Sequence, residues 1–162
     1  MVDYPSACRA NVRAVTDAVV KVTVSDVRTA VPATPGVEAG RVTLQEEGPP
    51  YRSVSVVIAQ PEAKAIHVAW TQAASRRPST WDLFVAALFL LGAAVDSVVV
   101  TAVEEGRHFF ARIEIVKDGV RHQLDARPSD AIALALRTPN SGIYVAEQVF
   151  ADMGIAEPPP DN

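Results

Sequence analysis

Four side chains able to do polar chemistry fall within six residues: Asp125, Arg127, Ser129 and Asp130. Two carboxylates at this spacing are candidates to hold a divalent cation such as Mg²⁺, a guanidinium can meet a phosphate oxygen pair bidentately, and a hydroxyl adds a hydrogen bond. Between them, Pro128 has a fixed φ and no N–H to lose. It suits the first position of a helix and puts Asp130 in the first turn. The free N–H groups of that turn bring partial positive charge toward any anion. Such a set supports metal-assisted hydrolysis at an anionic centre, with Asp125 and Asp130 as the candidate metal ligands. The same groups also have a structural reading. Asp130 complements the helix dipole, Ser129 caps free N–H groups, and Arg127 pairs with Asp125 or a neighbouring carboxylate.

The elements that must position this mouth follow from periodicity. No side chain from Ala131 to Leu136 is polar, so the helix behind the mouth is expected to be central and buried, stopping at the turn 138–142. Upstream, Val20, Val22 and Val24 alternate with their neighbours as a strand over 19–27, residues 31–36 break the pattern, and 41–44 and 51–58 complete a first meander. Pro61 opens a helix with Ala65, Ile66, Ala69 and Trp70 at helical spacing. Ser79 and Asp82 have the spacing of a capping box, and the apolar run that follows, ended by Gly92, reads as a second buried helix. A second meander begins at 98–100, turns at Asp118-Gly119, and delivers the chain to Pro128. A short strand at 143–145 and a short helix over 147–153 close the order. The fold class is α+β: a single domain over 19–155, with a mostly antiparallel sheet built from two strand meanders, two or three buried helices and a short C-terminal helix. Residues 1–18 form a lead-in, and 156–162 a disordered acidic, proline-rich tail.

Composition narrows the class. Of 162 residues, 49% are hydrophobic, enough for one core. The net charge of −4 is confined to the end of the chain: residues 1–140 carry 15 basic and 15 acidic side chains, and the surplus is Glu147, Asp152, Glu157 and Asp161. A nucleic-acid site on this body must be a local patch. Arg76-Arg77 and the strand arginines Arg107, Arg112 and Arg121 are the candidates for such a strip. One cysteine, Cys8, allows no internal disulfide, the N-terminus lacks a secretion signal, and the longest apolar run, 83–95, is too short to span a bilayer. A cytoplasmic setting without membrane attachment is expected. The three histidines match no compact metal motif, and no nucleophile elbow, P-loop or dinucleotide fingerprint is present. The valine-rich strands are compatible with a homo-oligomer.

Asp-Ala-Arg-Pro-Ser-Asp-Ala-Ile-Ala-Leu-Ala-Leu-Arg at 125–137, followed by Ile-Tyr-Val-Ala-Glu at 143–147, resembles the signature of the bifunctional nuclease family, proteins described as degrading both DNA and RNA. Residues 52–65 are similar in spacing to that family's Arg-x-Leu-Pro-Ile-x-Ile-Gly-x-x-Glu-Ala block. Residues 77–83 are similar to its Arg-Pro-Leu-Thr-His-Asp-Leu block. Ser55 and Ala59 stand where the family pattern has Pro and Gly, and Trp81 where it has His. The resemblance implies a nuclease hydrolysing phosphodiester bonds in DNA or RNA. Its candidate catalytic residues are Asp125, Arg127, Ser129, Asp130 and Asp82, its substrate contacts Arg76, Arg77 and Arg137, its cofactor Mg²⁺ and its partner nucleic acid. The alternative, raised by Trp81 and the neutral body, is a catalytically weak or inactive member that serves as a binding, assembly or regulatory module.

Overall fold

The structure is a computed structural model that describes residues 18–34 and 37–156. The lead-in, apart from Ala18, and the tail beyond Ala156 lie outside the described residues. The order is β1 (Val19–Thr34), β2 (Val37–Glu46), β3 (Arg52–Ala59), α1 (Gln60–Trp70), α2 (Thr80–Leu90), β4 (Ala93–Glu104), β5 (His108–Lys117), β6 (Val120–Ala126), α3 (Pro128–Ala135), β7 (Gly142–Ala146), α4 (Glu147–Met153) and β8 (Ile155–Ala156). The strands form one sheet in the order β6-β5-β4-β7-β1-β2-β3-β8. Both expected meanders are present, and β7 joins them, pairing antiparallel with β1 and parallel with β4. Residues 155–156, read from sequence as the domain's last residue and the start of the tail, are instead a short strand beside Arg52 and Ser53.

β1 runs longer than its alternation predicts. Val22 and Val24 face the core, a register shift at Ser25 resets the period, and Val27 takes the next inward position in place of Asp26. Pro32 is tolerated because β1 pairs with β7 only over Val19–Val22, so the far half of the strand has β2 on one side alone. The turn between β5 and β6 is the expected two-residue hairpin. Asp118 and Gly119 have φ of 51° and 75°, and Lys117 pairs with Val120.

The helices lie on one face of the sheet. α1 covers β1, β2 and β3, and α3 covers β4, β5 and β7. In α3 every residue but Asp130 is buried, as its lack of a polar stripe requires. The seat of α1 depends on Gly40 in β2. A Cβ built there would fall inside Ala63 Cβ, itself fully buried in α1. Gly40→Ala is therefore expected to cost about 1–3 kcal/mol by overpacking. Thermal unfolding should show this as a midpoint lowered by roughly 3–10 °C. An unchanged midpoint would mean that α1 is not held against β2 at this point.

α2 departs from expectation. None of its residues is buried. Trp81, Val85 and Leu88 pack on the core, whereas Leu83, Phe89, Leu90 and Leu91 are 67%, 79%, 83% and 67% exposed. A helix apolar on all sides gives no stripe from which to read its inner face. Only contacts with β4 and α3 decide it here.

An ion cluster closes the other end of the sheet. Arg52, at the start of β3, donates to Glu46 through Nε (3.1 Å), Nη2 (2.7 Å) and its backbone N–H (2.8 Å). It also donates to Glu147, at the start of α4, through Nη1 (2.6 Å) and Nη2 (3.0 Å). Its guanidinium lies 4.5 Å from the centroid of the Phe150 ring. Glu46 is buried.

Candidate functional site

β6 ends at Ala126, and Pro128 at the helix start confines Arg127 to extended backbone (φ −70°, ψ 145°). That conformation leaves the Arg127 side chain at the rim of α3, 66% exposed. Its Nε and Nη2 donate to the two carboxylate oxygens of Asp130 at 2.8 and 3.2 Å, a forked pair three residues apart. Its Nη1 reaches across to Glu62 Oε1 at 3.2 Å. Glu62 stands in the first turn of α1, which, like α3, has proline at its start. Two helix N-termini thus converge on one guanidinium. Asp130 chiefly, and Glu62 after it, raise the Arg127 pKa further above its ordinary value. The Glu62 side chain is only 15% exposed, and its Oε2 is buried without a hydrogen-bond partner. The site therefore contains an acceptor that the protein leaves unused.

The other sequence candidates go elsewhere. Asp82 completes the expected capping box: the Ser79 N–H and hydroxyl donate to Asp82 Oδ2 at 2.7 and 2.6 Å, and the Asp82 N–H donates to Ser79 Oγ at 3.3 Å. Hydrogen bonds from Ser79, backed by Arg137, hold the Asp82 carboxyl below its usual range. Arg137, expected among the substrate contacts, has a side chain only 8% exposed. It donates to Asp82 Oδ1 (2.8 Å), the Ala133 carbonyl (2.9 Å) and the Ala65 carbonyl (3.0 Å), stitching α1, α2 and the end of α3 together. Trp81, in the position of the family histidine, lies at this seam with its ring centroid 5.8 Å from the Arg137 guanidinium. Ser129 is buried inside α3, and the helix has no side-chain cap. Arg76 and Arg77 are exposed on the loop between α1 and α2.

Asp125 is not part of the helix mouth. It pairs in register with Arg112 of β5, on the sheet face opposite the helices. That face holds a polar cleft of about 800 Å³ lined in part by Lys21, Asp96, Arg112, Glu114, Gln123 and Tyr144. Of the strand arginines, Arg112 and Arg121 share this cleft, each held by a carboxylate: Arg112 Nε donates to Glu114 at 2.8 Å, and Arg121 donates to Asp96. Arg107 belongs to the β4–β5 turn and pairs with Glu105. Among the described residues, no three His, Cys, Asp or Glu side chains gather as a metal site.

From sequence Glu62 reads as a first-turn acid that complements its own helix dipole, at the Glu of the family's 52–65 block, and the 65 residues between it and Arg127 hide their contact. A signal was present in the repeated pattern of a helix-opening proline with an acid in the first turn, at Pro61-Glu62 and again at Pro128 and Asp130.

Fold and site together define a single-domain α+β protein that holds an exposed arginine between carboxylates from two helix N-termini. The family model for the bifunctional nuclease domain matches residues 42–158, and the chain belongs to that family. Two Mycobacterium tuberculosis proteins, MT1877 of strain CDC 1551 / Oshkosh and Rv1829 of strain ATCC 25618 / H37Rv, are each 33% identical to it over 117 residues. The match covers 72% of this chain and 68% of theirs, and both are described as uncharacterized. No helix among the described residues is long and apolar enough to cross a membrane.

Proposed function

We propose that this protein hydrolyses phosphodiester bonds in DNA or RNA, with the phosphate engaged at the cluster of Arg127, Asp130 and Glu62. Family membership supplies the reaction class. The observation that carries the site is the exposed Arg127 fork beside the unpartnered Glu62 oxygen. On this reading Arg127 turns from Asp130 to the phosphate, where its planar donors stabilise the charge of the transition state. Glu62 or Asp130, released from the guanidinium, accepts a proton from the attacking water. Mg²⁺, if required, would be held by the carboxylates of Glu62 and Asp130 with water and phosphate oxygens, a donor set that suits this ion, and would supply Lewis-acid stabilisation. Ser129 and Asp82 then act through the helix frame, and Asp125 lies outside the reacting cluster.

Cleavage of labelled single-stranded RNA and DNA, with Mg²⁺ and with EDTA, tests the proposal. Arg127→Ala and Glu62→Gln are each expected to lower the rate by roughly 10²-fold or more. Arg127 is exposed, but its loss takes the Nη1 hydrogen bond from the largely buried Glu62 carboxylate. Arg127→Ala should therefore also cost about 1–3 kcal/mol of stability, and rates are compared per folded molecule. Unchanged rates in both variants would rule out this site, and full activity in EDTA would remove the ion. The second reading, a family member serving as a binding or assembly module, is favoured by Trp81, which packs by Arg137 in the position of the family histidine, and by a body without surplus positive charge. It is selected if the wild-type chain cleaves neither substrate.

A further inference from the structure

We infer that α2 is a self-association element and that the chain forms a twofold dimer through an antiparallel pair of α2 helices. Leu83, Phe84, Phe89, Leu90 and Leu91 are 67%, 39%, 79%, 83% and 67% exposed. Together they present on the order of 600 Å² of apolar surface, close to the ~800 Å² that each partner of a standard interface contributes. A contiguous patch of that size on a folded chain marks an interaction surface.

The order of the side chains identifies the occupant. Reading outward from the central Ala86-Ala87, Val85 answers Leu88, Phe84 answers Phe89, and Leu83 answers Leu90. Leu83, Ala86, Ala87 and Leu90, at helical spacings of three, four and seven, form the outward stripe. Trp81, Val85 and Leu88 pack on the core. A twofold axis through the Ala86-Ala87 midpoint sets alanine against alanine where the helices cross, and Leu83 of each copy against Leu90 of the other. The small centre allows an axis separation at the lower end of the usual 8–10 Å, and the leucines close both ends. An isologous interface needs a patch complementary to itself, and a mirror-ordered helix provides one. A helix lying on a lipid surface would instead carry lysine or arginine on its flanks. Residues 80–92 contain neither, and their one charge is Asp82. The pairing is independent of whether the chain cleaves nucleic acid.

Light scattering coupled to gel filtration tests the pairing on the full chain. Wild type should run at twice the 17.3 kDa chain mass. Leu83→Lys and Leu90→Glu should each run as monomers with unchanged circular dichroism, since both side chains already face solvent. Combining the two should restore the dimer, because each lysine then meets the other copy's glutamate. A monomeric wild type, a Leu90→Glu variant that stays dimeric, or a double variant that stays monomeric would each overturn the proposal. So would a monomeric wild type that sediments with phosphatidylcholine–phosphatidylglycerol vesicles, which would assign α2 to lipid.

Discussion

Arg52→Ala is expected to destabilise the protein by about 3–5 kcal/mol at neutral pH, because it strands the Glu46 carboxylate in the interior without its partner. Glu46 now receives the Arg52 fork and the Arg52 backbone N–H, and both fix it in the ionised form. Glu147 is half exposed and returns to water when Arg52 is removed, so little of the cost comes from it. Arg52→Lys should recover only part of the loss, since an ammonium cannot span two carboxylates with a planar fork.

The pH dependence has a defined sign. Hydrogen bonds from Arg52 lower the folded pKa of both Glu46 and Glu147 below the ordinary value of 4.5. The unfolded chain therefore takes up protons first as pH falls. The stability that these groups contribute is complete above 4.5 and is lost as pH drops through their folded values. In Arg52→Ala the buried Glu46 carboxyl shifts upward instead, and protonation relieves the stranded charge. Urea titrations at pH 7 and pH 4 should show the gap between wild type and variant narrowing in acid. A gap under about 1 kcal/mol at pH 7, or one that widens in acid, would contradict the buried pair.

The second large effect is expected at Arg137. Arg137→Ala removes three charge-assisted hydrogen bonds at the seam of α1, α2 and α3. Such bonds are individually worth about 1.5–3 kcal/mol, but the Asp82 side chain is 41% exposed and its freed oxygen can be solvated. The net loss should be about 3 kcal/mol, a fall in the unfolding midpoint of roughly 6–12 °C. Arg137→Lys separates the two roles this residue could have. If it is the buried clamp described above, the lysine variant is destabilised and its nucleic-acid binding per folded molecule is unchanged. A lysine variant with wild-type stability and weakened binding would return Arg137 to the substrate.

Features written in consecutive residues were legible before the structure. The Pro128 helix start, the Ser79 and Asp82 capping box, the Asp118-Gly119 turn and the buried α3 are local, and each follows from backbone geometry or periodicity. The extent of β1 was not legible, because one extra residue at Ser25 reverses the inside-outside order that alternation relies on. Nor was the site. Asp125 lies two residues from Arg127, yet β6 ends between them at Ala126: Asp125 keeps the outer face that it shares with Gln123, Arg127 belongs to the start of α3, and Glu62 arrives from another helix. Arg137 and Asp82 looked like functional groups because both are charged. Their 55-residue separation concealed that they hold each other.

The place of β7 sets the order in which this sheet can be completed. Its few residues pair on one side with β1, about 120 positions earlier in the chain, and on the other with β4. Each meander can form from neighbouring segments, with short loops to close. Their union must wait for a strand near the C-terminus, at the entropic cost of a loop spanning most of the protein. During synthesis the first meander therefore emerges with the β1 edge open, and only the arrival of residues 142–146 covers it.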